Sequence, residues 1–273
     1  MTSPVPIPHI VFPKSQTFVQ EQDFAARQYR GRRDNQEDYY AFADAADPNE
    51  TPLKQLLLVV GDGLGAHAGG SVASYIAVNA FVRAFHESQG TSNWRLRTAL
   101  DIANETLGLV SNRMPSVAPP MGTTMLSVLV SHDSLQWISV GDSPLFLFRD
   151  GTLRRINEDH SLAPLLEARV RSGEMTADEA ADHPDRHTLQ SALLGMPMSL
   201  VDVSASPITL KPGDIVVAAS DGIFTLTHKA LEELLSFGKN TTADKIAEAV
   251  LFAIRRLNTD RQDNATVGIL KVS

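Results

Sequence analysis

Hydrophobic residues follow two patterns along the chain, and each pattern predicts a different element. Apolar runs predict strands over 56–60, 123–130, 135–140, 145–148 and 215–219, and alternating apolar residues predict a closing strand over 266–272. Apolar residues at helical spacing predict helices over 71–87, 94–113 and 243–257, and a more polar helix is predicted over 161–179. Asp150-Gly151 predicts a tight hairpin turn between two strands. Paired helices and hairpin strands together predict an α+β sandwich.

Composition narrows the class of protein. The chain has 273 residues, 43% hydrophobic and 21% charged, which is typical of a globular domain. Its net charge of -8 argues against nucleic acid as the main partner. It has no cysteine, which excludes disulfides, thiolate zinc sites and a cysteine nucleophile.

The start of the chain differs from the rest. Residues 1–20 are proline-rich and predict an extended arm before a single domain over 21–273. The arm lacks a signal-peptide pattern, and no apolar run approaches the roughly 18 residues that a membrane helix needs. We therefore expect a cytoplasmic protein that does not enter a membrane, and a monomer by default.

Acidic residues recur where predicted strands end. They follow three apolar runs, precede the last one, and form a pair before an apolar-polar run interpreted as the first strand: Asp62, Asp142, Asp221, Asp263, and Glu37 with Asp38. Clustered carboxylates raise one another's pKa, and a hard divalent cation relieves that repulsion. Ligands that are all oxygen favour Mg²⁺ or Mn²⁺.

Two other interpretations compete with a metal site. A single Asp-Gly after a strand is most often a turn, as expected for Asp150-Gly151, although several acids at strand ends make coincidence less plausible. Gly63, Gly65 and Ala68 match the spacing of a dinucleotide fingerprint. That match is weak, because no second parallel strand ending in an acid follows about 20 residues later.

An ordered set of motifs makes the chain resemble the metal-dependent protein phosphatases of type 2C, the PPM family. The motifs are RRDNQED, VVGDGLGAHAGG, GTT, SVGDS, EDHSL, ASDG and DNATV. The resemblance implies a four-layer αββα sandwich, two antiparallel sheets flanked by helices. It also implies a mobile flap over about 161–195.

The resemblance further implies two Mg²⁺ or Mn²⁺ ions as cofactors. Asp62 would bridge both ions and Gly63 would offer its carbonyl oxygen to one. Asp221 and Asp263 would complete the protein ligands of the first ion. Asp38, with Glu37 beside it, would serve the second ion.

The implied reaction is hydrolysis of phosphoserine or phosphothreonine in proteins by a bridging water, in opposition to a serine/threonine kinase. Arg33 would hold the phosphate oxygens through its planar guanidinium. His67 is a candidate proton donor to the leaving oxygen. Asn264 is expected to orient a ligand rather than to contact substrate.

Three positions depart from the family pattern. Thr225 stands where the family has an acid, Pro144 replaces an arginine and Ala66 replaces a glycine. Asp142 is a candidate ligand for a third ion, and the loss of an acid at Thr225 predicts that this ion binds weakly or not at all. Two alternatives stay open: a phosphatase-fold binding module with little or no activity, and a phosphomonoesterase acting on small molecules.

Overall fold

The computed structural model describes residues 20–45, 55–65, 69–113, 121–131 and 133–272, which form two antiparallel sheets packed face to face. The strands of the first sheet are β2 (Tyr39–Asp44), β3 (Gln55–Gly61), β6 (Met125–Ser131), β7 (Ser134–Val140), β10 (Asp202–Val203) and β11 (Ile208–Thr209). Those of the second are β1 (Phe24–Tyr29), β8 (Leu145–Arg149), β9 (Thr152–Arg155), β12 (Ile215–Ala219) and β13 (Ala265–Lys271). A short ribbon pairs β4 (Gly63–Leu64) with β5 (Gly122–Thr123).

Helices cover the outer faces of both sheets. The helices are α1 (Gly69–Glu87), α2 (Ser92–Arg113), α3 (Ala163–Arg171), α4 (Ala177–Ala181), α5 (His228–Gly238) and α6 (Ala243–Leu257). One buried cluster joins the first sheet to α1 and α2, another joins the second sheet to α5 and α6, and a third lies between the sheets. The fold is therefore the four-layer αββα sandwich that the family resemblance implied.

The continuous apolar sequence of β3 reflects the position of this strand between two hydrophobic clusters. Successive side chains of a strand point to opposite faces. Leu57 and Val59 belong to the cluster under α1 and α2, whereas Leu56, Leu58 and Val60 belong to the cluster between the sheets. Both faces of this strand are buried, so the alternation of apolar and polar residues disappears.

Most predicted elements are confirmed, with bounds that shift by one or two residues. The hairpin turn is also confirmed: β8 and β9 pair on either side of it, and Asp150 and Gly151 both have positive φ, at 52° and 83°. No helix among the described residues combines the length and the apolar character needed to span a bilayer. Of the predicted N-terminal arm, only Gln20 falls within the described residues.

Three sequence interpretations were wrong or incomplete. The single helix predicted over 161–179 is two helices, α3 and α4, because Gly173 between them adopts a φ of +78° and Thr176 starts α4 with a capping box. The strand after Asp38 is the second strand, since β1 precedes it. β1 and α5 were not predicted. β1 lies at the edge of its sheet and buries fully only Phe24 and Ala25, so its apolar signal is weak.

The flap segment, residues 161–195, leaves the second sheet after β9 and is fastened at both ends. At its base the His160 amide, just before the segment, donates to the Gly141 carbonyl after β7 at 3.2 Å. Near its return the Asn104 side chain, on α2, accepts from the amides of Leu194 and Gly195 at 3.2 and 2.9 Å and donates to the Met196 carbonyl at 2.8 Å. One buried side chain therefore ties the flap segment to the opposite side of the molecule.

Replacing Asn104 with Ala tests this tie. The variant leaves three backbone groups without their partner, so we expect the free energy of unfolding to fall by about 2 kcal/mol in urea denaturation. Asn79→Ala is the control, because Asn79 on α1 bonds only to the Tyr75 carbonyl one turn earlier. Equal effects of the two substitutions would contradict a special role for Asn104.

Candidate active site

A cavity of about 410 Å³ lies at the end of the sandwich where β3, β7 and β12 finish and β13 begins. β3 and β7 belong to the first sheet, and β12 and β13 belong to the second. Each of these strands brings one acid to the cavity wall: Asp62, Asp142, Asp221 and Asp263. The structure thus brings together the four acids that the sequence placed at strand ends.

The other candidate residues lie at or beside the same cavity. Arg33, Glu37, Gly63 and Asn264 line it. Asp38 is only 3% exposed, and its charge acts on Asp62. His67 lies outside the described residues, so its role stays a prediction.

Sequence reasoning missed five residues that also line this cavity: Leu64, Gly65, Thr124, His187 and Leu189. Thr124 carried a signal, since it belongs to the GTT motif. His187 and Leu189 carried none, because the return of the flap segment brings them to the cavity.

The buried carboxylates destabilise one another in their charged forms. Burial first, and neighbouring carboxylates second, raise the pKa of Asp62 well above its ordinary value. Burial is also the main cause that raises the pKa of Asp142 to about 7, with the charge of Asp221 adding to it. The pKa of Asp221 is raised as well, although a hydrogen bond with the Asp62 carboxyl partly offsets that shift. The cavity therefore concentrates acids that a divalent cation would stabilise in their ionised forms.

Asp38 has one carboxylate oxygen satisfied and the other not. Oδ2 accepts hydrogen bonds from the hydroxyls of Ser220 and Thr266, both at 2.7 Å. These donors are held in turn, because Thr266 Oγ1 accepts from Gln28 and Ser220 Oγ accepts from the Thr266 amide. Oδ1 is buried without a hydrogen-bond partner, and burial with the nearby charges raises the pKa of Asp38 to about 7.

The backbone at Asp62 is fixed by two threonines, Thr123 at the end of β5 and Thr124 between β5 and β6. The Thr123 hydroxyl donates to the Asp62 carbonyl at 2.9 Å, and the Asp62 amide donates to Thr124 Oγ1 at 3.0 Å. The Thr124 hydroxyl also bonds to the Ser143 hydroxyl at 2.8 Å, next to Asp142. The two acids from the first sheet are therefore held by one hydroxyl network.

Gly63 is required by a close approach of the backbone. A Cβ atom at this position would lie 2.5 Å from the Glu37 carbonyl oxygen and would also collide with the Gly70 carbonyl. The strand end, the Glu37 loop and the start of α1 thus meet without room for a side chain. The resemblance implied that the Gly63 carbonyl approaches a metal ion, and the structure shows that protein backbone also approaches this glycine closely.

Asn264 orders the loop that carries Arg33, Glu37 and Asp38. Its Oδ1 accepts from the Glu37 amide at 2.6 Å, and its Nδ2 donates to the carbonyls of Arg30 and Asn35 at 2.7 and 3.0 Å. These contacts use the whole amide group. Asn264 therefore acts on the position of the neighbouring residues.

Arg33 lies at the mouth of the cavity. Its side chain is 55% exposed, and Nη2 forms an ion pair with Asp263 at 2.5 Å. A guanidinium has five N–H donors in a planar fork, so one such contact leaves donors for a phosphate group.

The donor set fits small divalent cations. Apart from the imidazole of His187, the potential ligand atoms of the cavity are oxygens, and the unpartnered Asp38 Oδ1 is a further buried oxygen beside it. Among the described residues, no three His, Asp or Glu side chains already form a complete metal-binding group.

Two of the departures from the family pattern lie within the described residues. The Thr225 hydroxyl donates to Gln262 Oε1 at 2.8 Å, so it is engaged with a buried glutamine. Pro144 is buried and its carbonyl accepts from the Ala219 amide, which joins the β7–β8 connection to β12. Ala66 lies outside the described residues.

Comparison with known proteins identifies the class. The family model for protein phosphatase 2C matches residues 35–254, so the chain belongs to the protein phosphatase 2C family. The serine/threonine phosphatase stp of Listeria innocua is 29% identical over 225 residues, covering 80% of this chain and 85% of that protein. The serine/threonine protein phosphatase PstP of Mycobacterium tuberculosis is 30% identical over 203 residues, covering 73% of this chain and 36% of that protein.

Solved structures agree with this assignment. The crystal structure of the Mycobacterium tuberculosis phosphatase PstP/Ppp superposes with a TM-score of 0.74 at 26% identity, covering 92% of this chain and 98% of that one. The catalytic domain of PstP in complex with two manganese ions gives a TM-score of 0.69 at 25% identity, covering 91% and 96%.

Replacing Asp62 with Asn tests whether the ionised form of this buried carboxylate destabilises the folded protein. Because the pKa of Asp62 is raised in the folded protein, the metal-free protein loses stability as pH rises through that pKa. Asn cannot ionise, so in EDTA we expect Tm to rise by about 2–4 °C at pH 8, with a smaller gain at pH 5.

Asp101→Asn is the matched control, since Asp101 is a surface residue of α2 that pairs with Arg97. It should give no such gain. A lower Tm for Asp62→Asn at pH 8, or a gain that does not depend on pH, would refute the prediction.

Proposed function

We propose that this protein is a metal-dependent serine/threonine protein phosphatase that hydrolyses phosphoserine and phosphothreonine in proteins. The observation that carries the proposal is the convergence of four acids from both sheets, next to Asp38 with its unpartnered buried oxygen. Family membership and the named phosphatase relatives support the same activity, and they do not support an inactive binding module.

We assign the metal ligands as the family pattern implies. Asp62 and the Gly63 carbonyl oxygen would hold the ions. Asp221 and Asp263, and Asp38 with Glu37, would complete the protein ligands. Two manganese ions in the PstP catalytic domain support two Mg²⁺ or Mn²⁺ ions here. When bound, such a pair lowers the pKa of a water molecule and aligns it for in-line attack on phosphorus.

The residues of the chain bind and orient the substrate around that pair. Arg33, exposed at the mouth, donates hydrogen bonds to the phosphate oxygens and offsets their negative charge. Asn264 keeps the Arg33 loop in place through the Glu37 amide and the Arg30 carbonyl. His67 is the proposed proton donor to the leaving seryl or threonyl oxygen.

We also propose the partner, the compartment and the oligomeric state in which the protein acts in the cell. The partner is a phosphorylated protein, and the enzyme opposes a serine/threonine kinase. It acts in the cytoplasm, in keeping with a sequence that has no cysteine. It acts as a monomer.

Hydrolysis of a phosphothreonine peptide tests the function. The purified protein should release phosphate with Mn²⁺ and should lose that activity in EDTA. Asp221→Ala should lower kcat by at least about a hundredfold, because it removes a ligand of the metal centre. Asp101→Asn should keep wild-type activity.

Hydrolysis of small metabolites in preference to phosphopeptides would redirect the proposal to a general phosphomonoesterase. A folded protein that binds Mn²⁺ and hydrolyses neither kind of substrate would refute the enzymatic function.

Thr225→Asp tests whether the missing acid at position 225 weakens the third metal site. With Thr225 bonded to Gln262, the wild type should show two tight Mn²⁺ sites and a weak or absent third in calorimetric titration. Asp at this position adds a carboxylate near Asp221, and we expect it to tighten a third site about tenfold or more.

The control is Thr227→Asp, which adds the same charge at the N-cap of α5, two residues further on. A third site in the wild type as tight as the other two would contradict the prediction.

A further inference from the structure

A second cavity, of about 330 Å³, adjoins the active-site cavity. The two share Asp142 and His187 in their walls. The rest of the second wall comes from the end of β9, from the flap segment and from the 3₁₀ turn Asp221–Thr225 through Phe224. A substrate bound with its phosphate over Asp62 and Asp221 therefore has a second recess directly beside it.

Four charged side chains of this second cavity form two ion pairs, and the other two titratable residues of its wall, Asp142 and His187, also line the active-site cavity. Arg155 forms an ion pair with Asp159 at 2.9 Å and donates to the Asp142 carbonyl at 2.9 Å. Arg186 forms an ion pair with Glu167 at 2.7 Å. All three guanidinium nitrogens of Arg155 donate hydrogen bonds within the protein, to Asn157, Asp159 and the Asp142 carbonyl, so this part of the wall does not favour an acidic occupant.

Phe224 supplies the apolar surface of the cavity. Its side chain is 48% exposed although it lies three residues from Asp221. The ring meets Phe146 nearly edge-on, with centroids 6.5 Å apart and an angle of 78°. The Arg155 guanidinium lies 5.9 Å from its centroid. These contacts fix the ring and leave part of it open to the cavity.

The spacing of Asp221 and Phe224 gives the offset between the two cavities along a bound substrate. In a 3₁₀ turn residues i and i+3 lie above one another, one turn of about 6 Å apart. Phe224 therefore lies on the same face of the turn as the Asp221 carboxylate. An extended peptide advances about 3.3 Å per residue, so this offset corresponds to two residues of a bound substrate.

We propose that the cavity at Phe224 is a subsite for an apolar side chain of the phosphoprotein substrate, two residues from the phosphorylated serine or threonine. The subsite rests on the proposed phosphatase function and adds a sequence preference to it. Contact with the exposed part of the Phe224 ring would favour such substrates, because it removes apolar surface of both partners from water.

A peptide series tests the subsite. Phosphothreonine peptides carry Leu, Ala or Glu at each position from three before to three after the phosphorylated residue. For the wild type we expect kcat/KM to be about fivefold to tenfold higher with Leu than with Ala at a position two residues away. Glu at that position should give no gain over Ala.

The variants ask whether Phe224 causes the preference. Phe224→Ala should bring the Leu/Ala ratio close to one, whereas Phe224→Leu should keep most of it. The ratio is taken within each variant, so a general change in activity or folding cancels. Phe237→Ala is the control, since Phe237 on α5 is 85% exposed and outside both cavity walls, and it should keep the wild-type ratio.

The possible outcomes distinguish a failure of the subsite proposal from a failure of the proposed phosphatase function. Hydrolysis of all peptides without a Leu preference, a preference that survives Phe224→Ala, or a preference for Glu would each overturn the subsite and leave the phosphatase in place. Failure to hydrolyse any phosphopeptide, beside metal-dependent hydrolysis of an aryl phosphate, would refute the protein phosphatase function and the subsite with it.

Discussion

Repulsion between buried carboxylates is the constraint on which the site depends. Asp38, Asp62, Asp142 and Asp221 all have raised pKa values, chiefly because of burial. Such acids stay together only if the surrounding structure holds them and a cation stabilises their ionised forms. The hydroxyls around them fix the geometry: those of Thr123 and Thr124 at the Asp62 backbone, and those of Ser220 and Thr266 at Asp38. The hydrophobic clusters of the sandwich offset the stability that this arrangement costs.

The four-layer fold provides a rigid support for that cluster. Each sheet is covered by a helix layer on one face and by the other sheet on the other face, so its central strands are buried on both faces. Strand ends from both sheets then meet at one end of the sandwich, where loops and backbone carbonyls are available as ligands. A single sheet would present its acids in a row, whereas two facing sheets surround a volume.

The flap segment forms part of the wall of the active-site cavity. It is anchored by backbone bonds at its base and by Asn104 at its return, and between these anchors it brings His187 and Leu189 to the active-site cavity. It also closes the second cavity against Phe224. The acids of the active-site cavity and most of the wall of the second cavity therefore come from different parts of the chain, the acids from the strand ends and the wall mainly from the flap segment.

The sequence by itself determined the strands, the long helices α1, α2 and α6, and the acids at the strand ends, because apolar periodicity and local motifs are encoded in neighbouring residues. It did not reveal β1, an edge strand with few apolar residues, or the break between α3 and α4. Only the tertiary structure decided that Asp38 is buried with one oxygen unpartnered, that His187 reaches the active-site cavity, and that Phe224 faces a recess. Each of these depends on contacts between residues far apart in the chain, and the spacing of residues along a sequence does not specify such contacts.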